Sequence, residues 1–289
     1  MTSREIGQFR IFIWPTIIFI IILTVFPFLY AIALSFTDHN YVSSDQTKIV
    51  GIDNYIELFQ DSLFTKSLKN TVLLVAISTF CELAIGFTLA TIFFTYVRKL
   101  KKFIQTIIIM PMAMAPVAVA LMWKYIFNSS YGILNYIFES LSLKPIDWLG
   151  SNAYALISII IVDIWQWTPF VLLIVLAGYE SIKRNAIDMM LVDGANKLQL
   201  LRFLILPRIM PFILVALLLR IIDTFKLFDI VYVLTEGGPG SATETLSLFG
   251  YRLGFIFFKM GLASAESIIL VLLISVWTVL LIRLLKKII

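Results

Sequence analysis

Residues 179–211 read YESIKRNAIDMMLVDGANKLQLLRFLILPRIMP, a polar and basic island in an otherwise apolar chain. On each side lies an apolar run long enough to cross a bilayer. Within the island, apolar residues recur at helical spacing before and after Asp193-Gly194-Ala195. The island therefore predicts two short amphipathic helices joined by a turn, lying between two membrane spans.

Two residues predict where these helices end and begin. Gly194 lies where the chain must reverse direction, which favours a residue that tolerates positive φ. Pro207 fits the first turn of the next membrane helix, where no backbone donor is lost. The apolar faces consist of Ile187, Met190 and Leu191 in the first helix and Leu198, Leu201, Leu204 and Ile205 in the second. A loop with two surface helices and no special function would show the same pattern.

The composition places the chain in the bilayer. Hydrophobic residues make up 60% of its 289 residues, with a mean hydropathy of +0.96. Charged residues make up 14%, whereas about a quarter is usual for a soluble domain. The net charge of +5 comes from Lys and Arg at the ends of apolar runs, which does not favour nucleic-acid binding. A lone Cys81 and a lone His39 exclude a disulfide or metal framework.

The apolar runs predict an all-α polytopic membrane protein with six transmembrane helices in a single domain, residues 1–289. The first run exceeds the core of a cleaved signal peptide, so we expect a retained anchor. The predicted spans are residues 11–35, 71–96, 103–127, 153–178, 208–234 and 263–285, with the island at 179–207.

The basic residues predict the orientation, because cytoplasmic loops carry an excess of Lys and Arg. The loop after the second span has four basic residues and no acidic one, and the island is also basic. We therefore expect a multi-pass protein of a prokaryotic cell membrane, with both termini and the island on the cytoplasmic side.

The sequence offers no constellation for covalent chemistry. It has no nucleophile–base pattern, and Gly237-Gly238-Pro239-Gly240 lacks the Lys of a phosphate-binding loop. Charged residues inside a span are usually functional, because burying charge in a bilayer is costly. Arg220, Asp223, Thr224 and Leu227 share one face of the fifth span. They form either an internal Arg220–Asp223 ion pair or the wall of a polar cavity.

The island also resembles the coupling loop of ABC importer permeases. That motif runs Glu-Ala-Ala, three residues, Gly, nine residues, Ile, one residue, Leu-Pro. Here Asp188-Met189-Met190, Gly194 and Leu206-Pro207 keep its spacing, while two methionines replace the alanines and Leu204 replaces Ile. The stretches FPFLYAIALSFTD, MPMAMAPVAVALMWKYIF, IWQWTPFVLLIVLAGYESI and RIIDTFKLFDIVYVLTEGGPGSATETLSLFGYRLGF resemble carbohydrate permeases of the maltose-type, first-permease group.

This resemblance implies the subunits and sites of a sugar importer. The partners would be a second homologous permease, two ATPase subunits, an extracytoplasmic binding protein and a carbohydrate substrate. ATP and Mg²⁺ would bind the ATPase, leaving this chain without a cofactor or enzymatic activity. The coupling residues would be Asp188, Met189, Met190, Asp193, Gly194, Ala195, Leu206 and Pro207. The substrate path would comprise Gln166, Trp167, Phe170, Arg220, Asp223, Thr224 and Leu227.

Two other functions are compatible with parts of the sequence. An ion-coupled secondary transporter would use intramembrane Arg and Asp as an ion relay, but it has no use for a coupling loop. An ABC permease for a non-sugar solute would share the coupling loop, but it does not explain the fifth-span resemblance or Trp165-Gln166-Trp167.

Overall fold

The structure is a computed structural model that describes residues 14–42, 46–95 and 101–288. Within these ranges the chain is helical, apart from connecting loops and an isolated bridge between Thr37 and Ile49. The helices are α1 Trp14–Ser35, α2 Asp53–Gln60, α3 Ser62–Thr95, α4 Lys101–Ala113, α5 Pro116–Ile126, α6 Ile133–Ser140, α7 Ala155–Glu180, α8 Arg184–Val192, α9 Lys197–Phe225, α10 Asp229–Thr235, α11 Leu246–Ile256 and α12 Met260–Ile288. The predicted all-α membrane fold is confirmed.

The described residues divide into two compact units, the first within Met1–Phe64 and Phe249–Val271. In this unit a buried asparagine organises the loop after α1. The Asn54 side chain donates to the carbonyls of Ser35 and Thr37, both at 2.8 Å. The backbone of Gly261 approaches the same loop and donates to the His39 carbonyl at 3.0 Å.

The second unit, within Thr65–Leu248 and Leu272–Ile289, is built around α7. Its apolar core brings α7 together with α3 and α9. A Cβ added at Gly86 would lie 2.7 Å from the Val171 side chain, so the glycine permits close approach of α3 to α7. Because membrane helices associate through close packing, such small residues favour tight contact.

The third apolar run differs from the predicted continuous span 103–127. Phe103–Ala113 and Pro116–Ile126 meet at an angle of 94°. Pro116 begins the second piece, where its fixed φ suits the first turn but its missing N–H cannot extend α4. At the break, Gln166 Nε2 donates to the Met114 carbonyl at 3.2 Å. A side chain thus satisfies a backbone group that the broken helix leaves free.

The second and fifth spans also differ from their predicted bounds. The second, α3, begins at Ser62 rather than at residue 71 and contains 34 residues. The fifth, α9, begins at Lys197 rather than at residue 208 and ends at Phe225, after which a separate helix starts at Asp229. Apolar composition continues across both ends, so hydropathy alone does not locate them.

Candidate functional site

A polar cavity lies in the second unit where the broken helices end. Its volume is about 270 Å³. α5 contributes its first residue, α7 contributes one face, and the remaining wall is the junction between α9 and α10. The lining residues are Pro116, Asp163, Trp167, Arg220, Asp223, Thr224, Lys226, Leu227, Phe228, Asp229 and Ile230. Broken helices within a membrane commonly line ligand sites, because free backbone groups are tolerated around a cavity.

The cavity brings together five of the seven residues expected on the substrate path: Trp167, Arg220, Asp223, Thr224 and Leu227. The other two do not line it. Gln166 is fully buried and supports the break at Met114. Phe170 packs edge-to-face against the Trp167 ring, with centroids 6.2 Å apart. These two residues are placed to support the wall of the cavity.

Arg220 is held by two buried carboxylates from other helices. Its Nε donates to Glu82 Oε2 at 2.6 Å, and its Nη2 donates to Glu82 Oε1 at 2.9 Å. Nη2 also contacts both carboxylate oxygens of Asp163 at 3.2 Å. Glu82, Asp163 and Arg220, hereafter the buried triad, therefore join α3, α7 and α9. Each has an exposed side-chain fraction of 1% or less.

The alternative in which Arg220 and Asp223 form an ion pair with each other, considered from the sequence, is wrong. Asp223 instead forms an ion pair with Lys226, at 3.6 Å, and both side chains are about half exposed. Spacing placed Arg220 and Asp223 near each other on one helix. The guanidinium points instead towards α3 and α7, where its charge is matched by two carboxylates.

Arg220 also fixes two other groups at the cavity. Its guanidinium carbon lies 4.8 Å from the centroid of the Trp167 ring, within the range of a cation–π contact. Its Nη2 donates to the Thr224 hydroxyl at 3.0 Å, and that hydroxyl donates to the Arg220 carbonyl at 2.8 Å. Arg220 of the buried triad thus sets the position of Trp167. It also occupies the Thr224 hydroxyl in hydrogen bonds within α9.

The polar island forms the helix–turn–helix expected from the sequence. α8 ends at Val192, and Gly194 has a φ of +81°. The Ala195 and Gly194 N–H groups donate to the carbonyls of Met190 and Leu191, at 3.0 and 3.1 Å, which is the Schellman arrangement. The prediction that Gly194 provides the positive φ of the turn is confirmed.

The helix after the turn has a different form from the one expected. Asn196 and Gln199 make a capping box at the start of α9, with bonds of 2.9 and 2.8 Å. α9 then runs into the membrane span without interruption, through a π-helical segment at Leu200–Ile205. Leu206 and Pro207 follow that segment, so Pro207 lies in the first turn of the α-helical stretch Leu206–Phe225, as predicted, although α9 itself begins earlier. The local change in hydrogen-bond register accommodates a residue without an N–H.

One face of α8 is exposed and mixed in polarity. Asp188 and Asp193 are exposed, as are Met189 at 68% and Val192 at 87%. Together with Asn185 they border a shallow groove of about 430 Å³. On the other side of α8, Ile187 packs against the apolar core of the second unit. The expected coupling residues Met189 and Asp188 thus lie on an accessible surface.

Residues 82–288 match a family model described as the binding-protein-dependent transport system inner membrane component. The chain belongs to this family. It is 36% identical over 247 residues to a probable ABC transporter permease, y4oQ, of Sinorhizobium fredii, covering 83% of this chain and 78% of that protein. It is 35% identical over 233 residues to the trehalose/maltose transport system permease MalF of Thermococcus litoralis, covering 80% and 77% of the two chains.

A solved structure shares the fold of this permease over nearly its whole length. It is the crystal structure of a bacterial alginate ABC transporter in complex with an alginate pentasaccharide-bound periplasmic protein. The TM-score is 0.86 at 24% identity, covering 99% of this chain and 96% of that chain. The family match and the relatives of more than 30% identity show that the chain is a multi-pass ABC transporter permease, which is not catalytic because ATP hydrolysis belongs to a separate subunit. The alternative prediction of an ion-coupled secondary transporter is therefore wrong.

Sequence interpretation missed two of the three residues of the permease's buried triad. Glu82 and Asp163 lie in the second and fourth apolar runs, and the sequence interpretation assigned neither residue a role. The signal that could have identified them is the high cost of a charge in the bilayer, which requires a partner within the bundle. Three ionisable residues in three different spans should have suggested one cluster.

A second cavity lies away from the triad, beneath α8. Its volume is about 790 Å³, and its lining includes Thr91, Tyr179, Ile187 and Leu191. Most of its wall is apolar, and the Tyr179 and Thr91 hydroxyls satisfy each other at 2.6 Å. The smaller cavity at the triad is the better candidate for a polar solute, because five of its eleven lining residues are charged, against three of thirteen in the larger one. Within residues 14–42, 46–95 and 101–288, no cluster of His, Cys, Asp and Glu is arranged to hold a metal ion.

Proposed function

We propose that this permease carries a sugar, oligosaccharide or polyol through the cavity at the buried triad. The observation that carries the proposal is the convergence of the Trp167 indole with Asp223, Lys226 and Asp229 around one cavity. Aromatic rings pack against the C–H faces of sugars, and charged side chains bond to hydroxyl groups.

The geometry divides the lining residues by role. Arg220 is only 1% exposed and Thr224 only 2%, and their polar groups are engaged with each other and with carboxylates. Asp223, Lys226 and Asp229 have exposed side chains. Direct partners for substrate hydroxyls are therefore Asp223, Lys226 and Asp229, while Arg220 and Thr224 act as positioning residues for Trp167.

Names of related proteins support a carbohydrate. The relative at 35% identity is named for trehalose and maltose transport. A trehalose transport system permease, SugA, of Mycobacterium tuberculosis is 31% identical over 258 residues, covering 89% of this chain and 81% of that protein. The solved transporter is named for alginate, an acidic polysaccharide.

We assign the exposed face of α8 to the docking of an ATPase subunit. Its exposed apolar side chains and carboxylates suit a protein interface, and the Schellman turn holds them in one orientation. The complete importer would contain a second homologous permease, two ATPase subunits that bind ATP and Mg²⁺, and an extracytoplasmic binding protein. The basic island and both termini would face the cytoplasm, where the ATPase is.

The test is transport by the complete importer in proteoliposomes, with a carbohydrate panel screened first on its binding protein. Trp167→Ala should lower uptake up to about tenfold, since an aromatic contact of ~0.5–1.5 kcal/mol is lost. Stimulation of the ATPase by loaded binding protein should persist. The matched control is Trp165→Ala, because Trp165 packs edge-on against Trp123, with centroids 5.7 Å apart, and does not line the cavity. Unchanged uptake by Trp167→Ala, or stimulation only by non-carbohydrate solutes, would reject the proposal.

A further inference from the structure

The charges around the cavity are unequal in sign. Three carboxylates line it, those of Asp163, Asp223 and Asp229, against two cations, Arg220 and Lys226. A fourth carboxylate, Glu82, lies directly behind Arg220 at 2.6 Å. The cavity therefore presents an excess of negative charge even though an arginine and a lysine contribute to its wall.

The arginine offers little to an incoming anion, because its side chain is only 1% exposed. Its Nε and Nη2 donate to Glu82, and Nη2 also contacts Asp163. Its planar face is covered by the Trp167 ring at 4.8 Å. A substrate carboxylate or phosphate that bound Nε or Nη2 would have to displace a buried carboxylate, which would then be left in the interior without its partner.

Lys226 has an ion-pair partner, whereas Asp229 has none among the described residues. Lys226 lies 3.6 Å from Asp223, and both side chains are about half exposed. Among the described residues, Asp229 makes no ion pair. It lies in the first turn of α10, where the helix N-terminus favours a negative charge. The accessible charges that a substrate meets are therefore the Asp223–Lys226 pair, which is neutral as a whole, and the carboxylate of Asp229.

We infer that this cavity admits uncharged carbohydrates and discriminates against those that carry a carboxylate, sulfate or phosphate. The inference rests on the proposed function and names the substrate class of the same site. The fold does not decide this property, because similar proteins are named for acidic alginate and for sulfoquinovosyl glycerol. The local residues decide it, since a like charge in a confined site is repelled and an unpaired carboxylate still bonds to neutral hydroxyl groups.

The experiment measures sugar binding to the complete purified transporter in detergent, without the binding protein, so that the selectivity of the binding protein does not enter. The signal is the change in tryptophan fluorescence that is lost in a Trp167→Phe transporter. The probes are maltose, trehalose and the same disaccharides oxidised at C6 to carboxylates. The charge variant is Asp223→Asn/Asp229→Asn, which releases Lys226. Its control is Glu139→Gln, which neutralises an exposed carboxylate outside the cavity.

We expect the oxidised disaccharides to bind the native transporter and the Glu139→Gln control at least tenfold more weakly than their neutral parents. In Asp223→Asn/Asp229→Asn the two classes should come within about threefold of each other. Equal or tighter binding of the oxidised sugars to the native protein would overturn the inference while leaving a carbohydrate function intact. A discrimination that is unchanged in the double variant would also overturn it. If neither class of sugar binds, the inference and the proposed function fail together.

Discussion

Replacing Arg220 with Met should destabilise the permease more than any other single change in the buried triad. The substitution keeps most of the side-chain volume but leaves Glu82 and Asp163 buried without a cation. Both carboxylates are fully buried. Removing one partner from a buried charge cluster typically costs about 3–5 kcal/mol. At about 2–4 °C per kcal/mol, the expected loss in Tm is roughly 6–20 °C.

Neutralising either carboxylate alone should cost much less. In Glu82→Gln or Asp163→Asn, Arg220 keeps one ionised partner and the new amide still offers a carbonyl acceptor. The change replaces a charged hydrogen bond with a weaker one, a loss of about 1 kcal/mol or roughly 2–4 °C. The asymmetry follows directly from the ratio of two carboxylates to one guanidinium.

The assay is the fraction of purified transporter that remains monodisperse after heating in detergent. Arg283→Met serves as the control, because Arg283 is exposed on α12. The triple variant Glu82→Gln/Asp163→Asn/Arg220→Met should regain most of the stability lost in Arg220→Met, since no buried charge remains. A loss in Glu82→Gln as large as that in Arg220→Met, or no recovery in the triple variant, would refute this account of the triad.

Three further predictions concern other parts of the chain. Gly194→Trp should abolish uptake but leave membrane insertion intact, because a Cβ strains the backbone at a φ of +81° and a large side chain on this exposed turn would obstruct docking. Uptake at the native rate would remove the role of this turn in docking. The orientation can be tested in a chain whose native cysteine is replaced. A cysteine at Tyr131 should react with an impermeant thiol reagent from outside, and one at Lys197 only after permeabilisation. The opposite pattern would reverse the proposed orientation. Gly86→Leu should lower the yield of folded protein, since even a Cβ there would lie 2.7 Å from the Val171 side chain. An unchanged yield and Tm would show that α3 and α7 can separate without loss of stability.

Local signals in the sequence were sufficient for the membrane fold and the turn at Gly194. Long apolar runs must be helical in a bilayer, because their backbone groups have no other partners. Gly194 was predictable because only a residue without a Cβ adopts its φ of +81° at low cost. The cavity wall was partly predictable, since Arg220, Asp223 and Thr224 share a helix.

The remaining features depend on contacts between distant segments. The 94° break before Pro116 leaves no change in hydropathy, and prolines also occur within straight runs of the same protein, as Pro169 does in α7. The partners of Arg220 are separated from it by 138 and 57 positions. The spacing on one helix favoured Asp223 as its partner, whereas packing of three helices provided Glu82 and Asp163.

The continuous helix α9 connects the turn at Gly194, proposed to dock the ATPase, with the cavity. Its 29 residues make a rod about 43 Å long, with the capping box of Asn196 at one end and the cavity residues Arg220 and Thr224 near the other. A tilt of about 10° at the capped end displaces the far end by about 7 Å, by the length of a helix at 1.5 Å per residue. A cube with the volume of the cavity would have an edge of about 6.5 Å. A small rotation imposed at the turn is therefore magnified into a displacement as large as the cavity itself.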